Sequence, residues 1–185
     1  MSLAVHYQGP QVASPQFIEL SNTEAAVLSF ETFYGDHYTA IARALSVTLG
    51  NAAWGQEAAD EAMTRAYDKW SRISEYHNPA GWCYRVGLNW ARSWHRKLAR
   101  RLPWTDDGIE LPRTPDVTLD AALADLDLKY RSVVVCRYLL DWSTDETAEA
   151  LELAPGTVKS RLSTGLDKLH HALAEHPSNP DHKDA

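Results

Sequence analysis

The sequence predicts an all-α fold: two small helical domains joined by a flexible linker. Three observations carry that prediction. Apolar residues recur at three- and four-residue steps through most of the chain, the period of a helix with one buried face. Residues 102–119, LPWTDDGIELPRTPDVTL, hold three prolines among mixed acids and cannot form a regular helix. Beyond them, residues 142–169, WSTDETAEALELAPGTVKSRLSTGLDKL, read as two short helices around a tight turn. A chain of 185 residues suffices for one domain of typical size or two small ones. Its 44% hydrophobic and 23% charged content places it with globular rather than disordered proteins.

Residues 1–23 contain Gly9, Pro10 and Pro15 with little periodicity, and read as a flexible extension in which Phe17, Ile18 and Leu20 offer a docking point. The first domain is placed at 24–101. Its first helix is expected from Glu24 to Leu49, with Phe30, Phe33, Tyr34, His37, Ile41, Leu45 and Thr48 on one side and Gly50-Asn51 as its end. A second helix follows over Trp54–Trp70. Ala58, Ala62, Ala66 and Trp70, with Met63 and Tyr67 beside them, make its apolar face. Glu57, Asp60, Glu61, Thr64, Arg65 and Asp68 make a polar one, with Glu61–Arg65 an i,i+4 pair. After a turn over Ser71–Pro79 a third helix is expected over Ala80–Arg101. There Trp82, Cys83, Val86, Trp90, Trp94 and Leu98 can bury one side while Arg85, Asn89, Arg92, Arg96, Lys97 and Arg100 face elsewhere. Tryptophans among cations suit stacking on unpaired bases, but Trp at four-residue spacing is usually core. The basic face is therefore the signal there, not the rings.

The linker spans 102–119 and the second domain 120–175. Asp120–Leu140 begins that second domain; within it Ser132–Leu140 is rich in β-branched residues and could pass for a strand, yet flanking helices and the helix-turn-helix after it favour a helix. Ser143 and Glu146 form a capping box, so a helix begins there and runs to about Leu151. Pro155 suits a first helical position, so another helix starts beside it, burying Val158, Leu162, Leu166, Leu169 and Leu173. Its other face holds Thr157, Lys159, Ser160, Arg161, Ser163 and Thr164, the small polar and cationic make-up of a recognition helix in a DNA major groove. Spacing alone also allows an ordinary helical hairpin with a solvated basic face. Residues 176–185 read as a disordered tail.

Net charge is −7, but the charge is segregated. Arg85, Arg92, His95, Arg96, Lys97, Arg100 and Arg101 lie in a stretch free of acids, which a run of Asp and Glu then follows. For DNA a local basic stripe matters more than the total. Cys83 and Cys136 sit singly in apolar patterns and read as two buried thiols. Adjacent His170 and His171 point about 100° apart on a helix and, even with His176, make a poor chelate, so no metal or other cofactor is expected. No apolar run approaches the roughly 20 residues of a bilayer span, and no signal peptide is apparent; the expected location is cytoplasmic. Paired loop carboxylates, a nucleophile–His arrangement and a phosphate-cradling Gly loop are all missing, so an enzyme is not expected.

Residues GTVKSRLSTGLDKL (156–169) resemble the second helix of region 4 in sigma-70-family factors, and RSVVVCRY (131–138) resembles the helix leading into it. Departures are Glu152 where Gly is usual at the turn, Ala154 for the capping Ser, Asp127 where Leu-Pro opens the region, and Ser163-Thr164 for bulkier or basic residues. The segment from Gln56 to Tyr67 is similar to sigma region 2.2, and Trp82, Tyr84, Arg85, Val86 and Asn89 match the W-x-Y-R-[VI]-x-x-N pattern of regions 2.3 and 2.4. A short linker between the two motifs is the mark of the extracytoplasmic-function (ECF) type.

The resemblance implies an alternative sigma factor that binds core RNA polymerase, recognises −35 and −10 promoter elements, and promotes melting and initiation. Gln56, Glu57, Asp60, Glu61 and Arg65 would dock on the β′ coiled-coil, with further contact to the β subunit. Gly156, Thr157, Lys159, Ser160, Arg161, Ser163 and Thr164 would read the −35 duplex. Glu75, Tyr76, His77, Asn78 and Asn89 would hold a flipped-out base of the −10 element, with Arg85, Arg92, Arg96 and Lys97 on the backbone. Promoter DNA and an anti-sigma factor are the other implied partners, without membrane insertion. The linker would thread toward the polymerase cleft or serve as a solvated spacer. The alternative is a helix-turn-helix regulator that binds duplex DNA without polymerase.

Overall fold

Eight helices account for the regular structure of the computed structural model, which describes residues 22–101 and 119–175. Helix α1 (Asn22–Leu49) begins two residues before the expected Glu24 and ends as the sequence suggests. Gly50 takes φ 68°, a left-handed conformation that costs glycine little, and the Asn51 N–H reaches back to the Ser46 carbonyl at 3.1 Å. Asn51 then caps α2 (Ala52–Asp68), its Oδ1 accepting from the Trp54 N–H at 2.9 Å. One tight turn thus closes one helix and opens the next. The expected second helix is two elements: α2 stops at Lys69, and α3 (Trp70–Ile73) is a single further turn that buries Trp70 and Ile73.

Helix α4 (Pro79–Arg101) starts with proline in its first position and Asn78 as its cap, the Asn78 Oδ1 accepting from the Gly81 N–H at 2.7 Å. Small residues let α1, α2 and α4 meet at close range. Ala58, Ala59, Ala62 and Ala66 are all fully buried. A Cβ at Gly55 would sit 2.3 Å from the Ser46 Cα, and one at Gly87 would sit 2.7 Å from the Ala58 carbonyl oxygen. Either substitution would push helices apart along the seam.

Beyond residue 118 come α5 (Leu119–Asp125) and α6 (Leu128–Tyr138), the latter taking in most of the stretch Ser132–Leu140 expected to be helical. The Asp127 carbonyl accepts from the N–H groups of Tyr130 and Arg131 where α6 begins. The β-branched run Val133–Val135 is helical and buried, because tertiary packing overrides strand propensity. Helix α7 (Thr144–Leu151) carries the full capping box: the Glu146 N–H donates to Ser143 Oγ at 3.1 Å, and the Ser143 N–H donates to Glu146 Oε2 at 2.7 Å. Glu152 ends α7 at φ 53°, ψ 48°, and α8 (Pro155–Glu175) follows.

The largest core gathers residues of α1 to α4, among them Ile41, Leu45, Met63, Ile73 and Tyr84, and takes in Val135 and Cys136 of α6. Trp142, Leu140 and Leu151 pack against it from the same side. Two smaller clusters, Ala122–Leu123–Leu126–Val134–Leu169 and Val133–Ala148–Val158, hold α5 to α8 to one another. The two helical groups therefore share apolar interior. Several residues expected on buried faces lie outside instead: Tyr34 and His37 on α1, Tyr67 (53% exposed), Trp94 (51%) and Leu173. Each stands at the edge of its apolar stripe, where no element among the described residues buries it. Most of the N-terminal extension (1–21), the linker residues 102–118 and the tail 176–185 lie outside the described residues.

Candidate nucleic-acid interface

Helix α8 presents the residues expected to face a duplex. Val158, Gly165 and Leu169 are buried and fix the rotation of the helix, leaving Gly156, Lys159, Ser160 and Ser163 exposed and Thr157, Arg161 and Thr164 half-buried. Ser160 Oγ donates to the Thr157 carbonyl at 3.1 Å. The capping box fixes the start of α7 and Pro155 the start of α8, whose first turns bury Val158 and leave Gly156, Lys159 and Ser160 exposed.

On α4, Asn89, Arg92 and Arg96 are exposed, and Arg96 Nη2 donates to Ser93 Oγ at 3.4 Å. The side chain of Lys97 lies outside the described set. In the preceding loop Glu75 and His77 are exposed, while Tyr76 packs on the core and Asn78 is committed to its cap. Eleven residues separate Asn78 from Asn89, about 16 Å at helical rise and nearly the same face at 100° per residue. The structure thus aligns the two parts of the expected base pocket without joining them.

Arg85 does not face open solvent. Its Nη1 donates to Glu152 Oε1 at 2.8 Å, joining α4 to the turn between α7 and α8. Arg85, Asn89 and Arg92 line one cleft, of about 600 Å³, with Lys129 of α6 and Arg161 of α8. Beneath it Tyr84 is fully buried. The hydroxyls of Tyr84 and Thr48 share a hydrogen bond of 2.7 Å, and the Cys136 thiol is buried in the same core. Burial raises the Tyr84 phenol well above its ordinary range and pushes the Cys83 and Cys136 thiols to about 12. Both thiols are free and buried, as the sequence suggests.

The outer face of α2 carries the remaining candidates. Gln56, Glu57, Asp60 and Arg65 are exposed and Glu61 half-exposed, with the expected pair Arg65–Glu61 at 2.8 Å. Tyr38 of α1 donates to Asp60 Oδ1 at 2.8 Å; that bond to a carboxylate, helped by burial, raises the phenol to about 12. His170 and His171 on α8 are exposed, with rings 6.1 Å apart. No helix among the described residues is long and apolar enough to cross a membrane.

Residues 116–169 match the family model for sigma-70, region 4. The chain is 31% identical over 160 residues to an RNA polymerase sigma-E factor of Streptomyces avermitilis, covering 80% of this chain and 86% of that one. It is 30% identical over 164 residues to the ECF RNA polymerase sigma factor SigL of Mycobacterium tuberculosis, covering 82% and 92%. The chain belongs to the ECF sigma factors of RNA polymerase. Its fold agrees with that of the sigma factor RpoE solved in complex with the anti-sigma factor NepR from Bartonella quintana. There the TM-score is 0.66 at 18% identity, over 79% of this chain and 97% of that one. CnrH, solved with the cytosolic domain of CnrY, gives 0.59 at 20% identity over 83% and 95%.

Within this sigma factor, sequence reasoning missed what lies between the two helical groups. Glu152 was legible only as a departure at the turn, where a left-handed conformation favours glycine. Tyr84 stood in the matched motif, but nothing local to α4 pointed to Thr48 as its partner.

Proposed function

We propose that this sigma factor divides initiation among three faces. The first helical domain, 24–101, holds core polymerase through Gln56, Glu57, Asp60, Glu61 and Arg65 on α2, and opens the −10 element through α4 and the loop before it. There Arg85, Arg92, Arg96 and Lys97 follow phosphates, while Asn89 with Glu75, Tyr76, His77 and Asn78 receives an extruded base. The second domain, 120–175, reads the −35 duplex with Gly156, Thr157, Lys159, Ser160, Arg161, Ser163 and Thr164. Phosphate contacts position the protein and base-edge contacts specify the site. The observation that carries this division is the outward, small and cationic first turns of α8 within the segment matched to region 4.

The factor works in the cytoplasm as a binding protein rather than an enzyme, with core polymerase, promoter DNA and an anti-sigma factor as partners. The last is supported by the two solved neighbours, RpoE held by the anti-sigma factor NepR and CnrH held by the cytosolic domain of CnrY. The test is co-purification with bacterial core polymerase and promoter-selected run-off transcription, with Glu61→Lys beside wild type. Reversing Glu61 breaks its pair with Arg65 and places a cation on the docking face. Polymerase affinity should fall about tenfold with the melting temperature within about 2 °C of wild type, since exposed pairs add little stability. Duplex binding by wild type with no polymerase association would instead support a stand-alone regulator.

A further inference from the structure

One cleft gathers cations from three helices. It encloses about 600 Å³ between α4, the start of α6, and α7 with its turn into α8. Arg85 and Arg92 line it from α4, Lys129 from α6 and Arg161 from α8, with the carboxylates of Asp127 and Glu152 in the same lining. Arg85 is paired with Glu152 at 2.8 Å, and Lys129 Nζ lies over the Tyr130 ring at 4.8 Å. Arg92 and Arg161 have no ion pair or hydrogen bond among the described residues. Cations gathered in a concavity repel one another, and an anion placed among them removes that cost. Lys129 and Asp127 belong to neither promoter-reading helix. The rest of the lining is mixed. Leu88 is buried and Leu128, Leu151 and Leu153 are half-buried, which makes a wall of leucines. Asn89 is exposed, and Asp127 gives α6 no side-chain cap, so an amide and a carboxylate are left to the cleft.

We infer that this cleft binds a mononucleotide carrying two or three phosphates. The volume suits one, because small-molecule sites run from roughly 300 to 1,000 Å³. Phosphate oxygens accept from the guanidiniums of Arg92 and Arg161, each a fork suited to two oxygens, and from the Lys129 ammonium as a point charge. The base lies on the leucines, with its polar edge toward Asn89 and Asp127. Those neutral and acidic groups decide the class. An inorganic polyphosphate would leave the leucine wall uncovered, and an isoprenoid phosphate would set hydrocarbon against an amide and a carboxylate. Promoter DNA fits less well, since a duplex lies along a face rather than among three helices. Where Arg85, Arg92 and Arg161 hold promoter phosphates as proposed, they cannot serve both anions at once. Promoter affinity then falls as the nucleotide concentration rises.

The test is isothermal titration calorimetry of the full-length chain alone, with ATP, GTP, CTP and inorganic pyrophosphate as probes. At least one nucleotide should bind at a single site and about tenfold more tightly than pyrophosphate, which has the charge without the base. Lys129→Gln should weaken that nucleotide about three- to tenfold, the worth of one solvent-exposed charge on an anion. Lys168→Gln removes the other cation over the Tyr130 ring, outside the cleft, and should change nothing. Asp127→Ala removes a base contact and a carboxylate that repels phosphate, so the ratio of nucleotide to pyrophosphate affinity should fall. No heat from any nucleotide up to about 1 mM, the weak end of ordinary affinities, would overturn the site. Pyrophosphate binding as tightly as every nucleotide would overturn the ligand class. Wild-type affinity in Lys129→Gln would overturn the placement in this cleft. Binding here needs neither polymerase nor promoter, so its failure and a failure of the proposed function are read separately.

Discussion

The outer faces of α2 and α4 are both polar, the first mostly acidic and the second cationic, and they differ in where their charges find partners. On α2 the charges are satisfied close to home: Arg65 pairs with Glu61 one turn away, and Asp60 accepts from Tyr38 of the neighbouring α1. The face is ordered by its own helical group and open to a partner. On α4 the pairing runs 67 residues along the chain, from Arg85 to Glu152, and the second helical group stands over it. A surface paired within its own group is presented whole, whereas on α4 Arg85 is held by the other group while Asn89, Arg92 and Arg96 stay exposed.

The largest expected effect comes from breaking the floor beneath that difference. Tyr84→Ala empties the site of a fully buried ring and strips Thr48 of its hydrogen-bond partner. Loss of a large buried ring costs about 3–5 kcal/mol, enough to threaten the fold of a chain this size. Urea unfolding should show the loss. If the cost were confined to the first helical group, Val135 and Cys136 would keep their protection from hydrogen exchange at α6; they should lose it, because both are buried in the core that Tyr84 fills. A variant with near wild-type stability would mean that the two groups do not share that interior in solution.

What the sequence made legible follows the range of the forces involved. The capping box at Ser143 and Glu146 and the proline start of α8 are set by groups three or fewer residues apart, and both stand where the pattern places them. The break at Lys69 was missed because the site holds neither Gly nor Pro; the chain bends there to bury Trp70 and Ile73. Trp94 was read as a core candidate from its spacing, yet it lies exposed and stacks on Trp90 at 6.1 Å. Periodicity tells which residues share a stripe, not how wide a stripe the neighbours cover. Arg85 with Glu152 is the extreme case. Each charge reads locally as solvated, and only the tertiary fold brings them together.

A middle-sized effect separates the second group's own stability from what it gains by docking. Ser143→Ala removes the cap of α7 and leaves the Glu146 N–H without its side-chain acceptor. Such changes cost about 1 kcal/mol. The loss should appear in thermal unfolding and in weaker −35 duplex binding, since α8 packs on α7, while polymerase affinity through α2 stays at the wild-type value. An equal loss of polymerase binding would mean that the two faces are not independent.

The smallest effect is a pH dependence seated in the same cap. Glu146 has its carboxyl held below the ordinary value of 4.5, first by the Ser143 backbone N–H and then by the Ser143 side chain. A carboxyl whose folded pKa lies below its unfolded pKa binds fewer protons in the folded state, so stability rises with pH across that window. Its contribution is complete above about pH 4.5, the unfolded value, and is lost as pH falls through the lower folded value. Glu146 is half-buried at the rim of α7, where solvent still reaches its carboxylate, so the effect is small and screened by salt. Thermal unfolding of wild type and Glu146→Gln between pH 3 and 7 isolates it. The variant should be less stable than wild type at pH 7, and the two curves should converge at the acid end. Parallel curves would show that the cap acts through its neutral hydrogen bonds alone. Because Glu146 is the third helical residue of the element that α8 packs on, convergence should be matched in −35 duplex affinity and should leave the α2 face untouched.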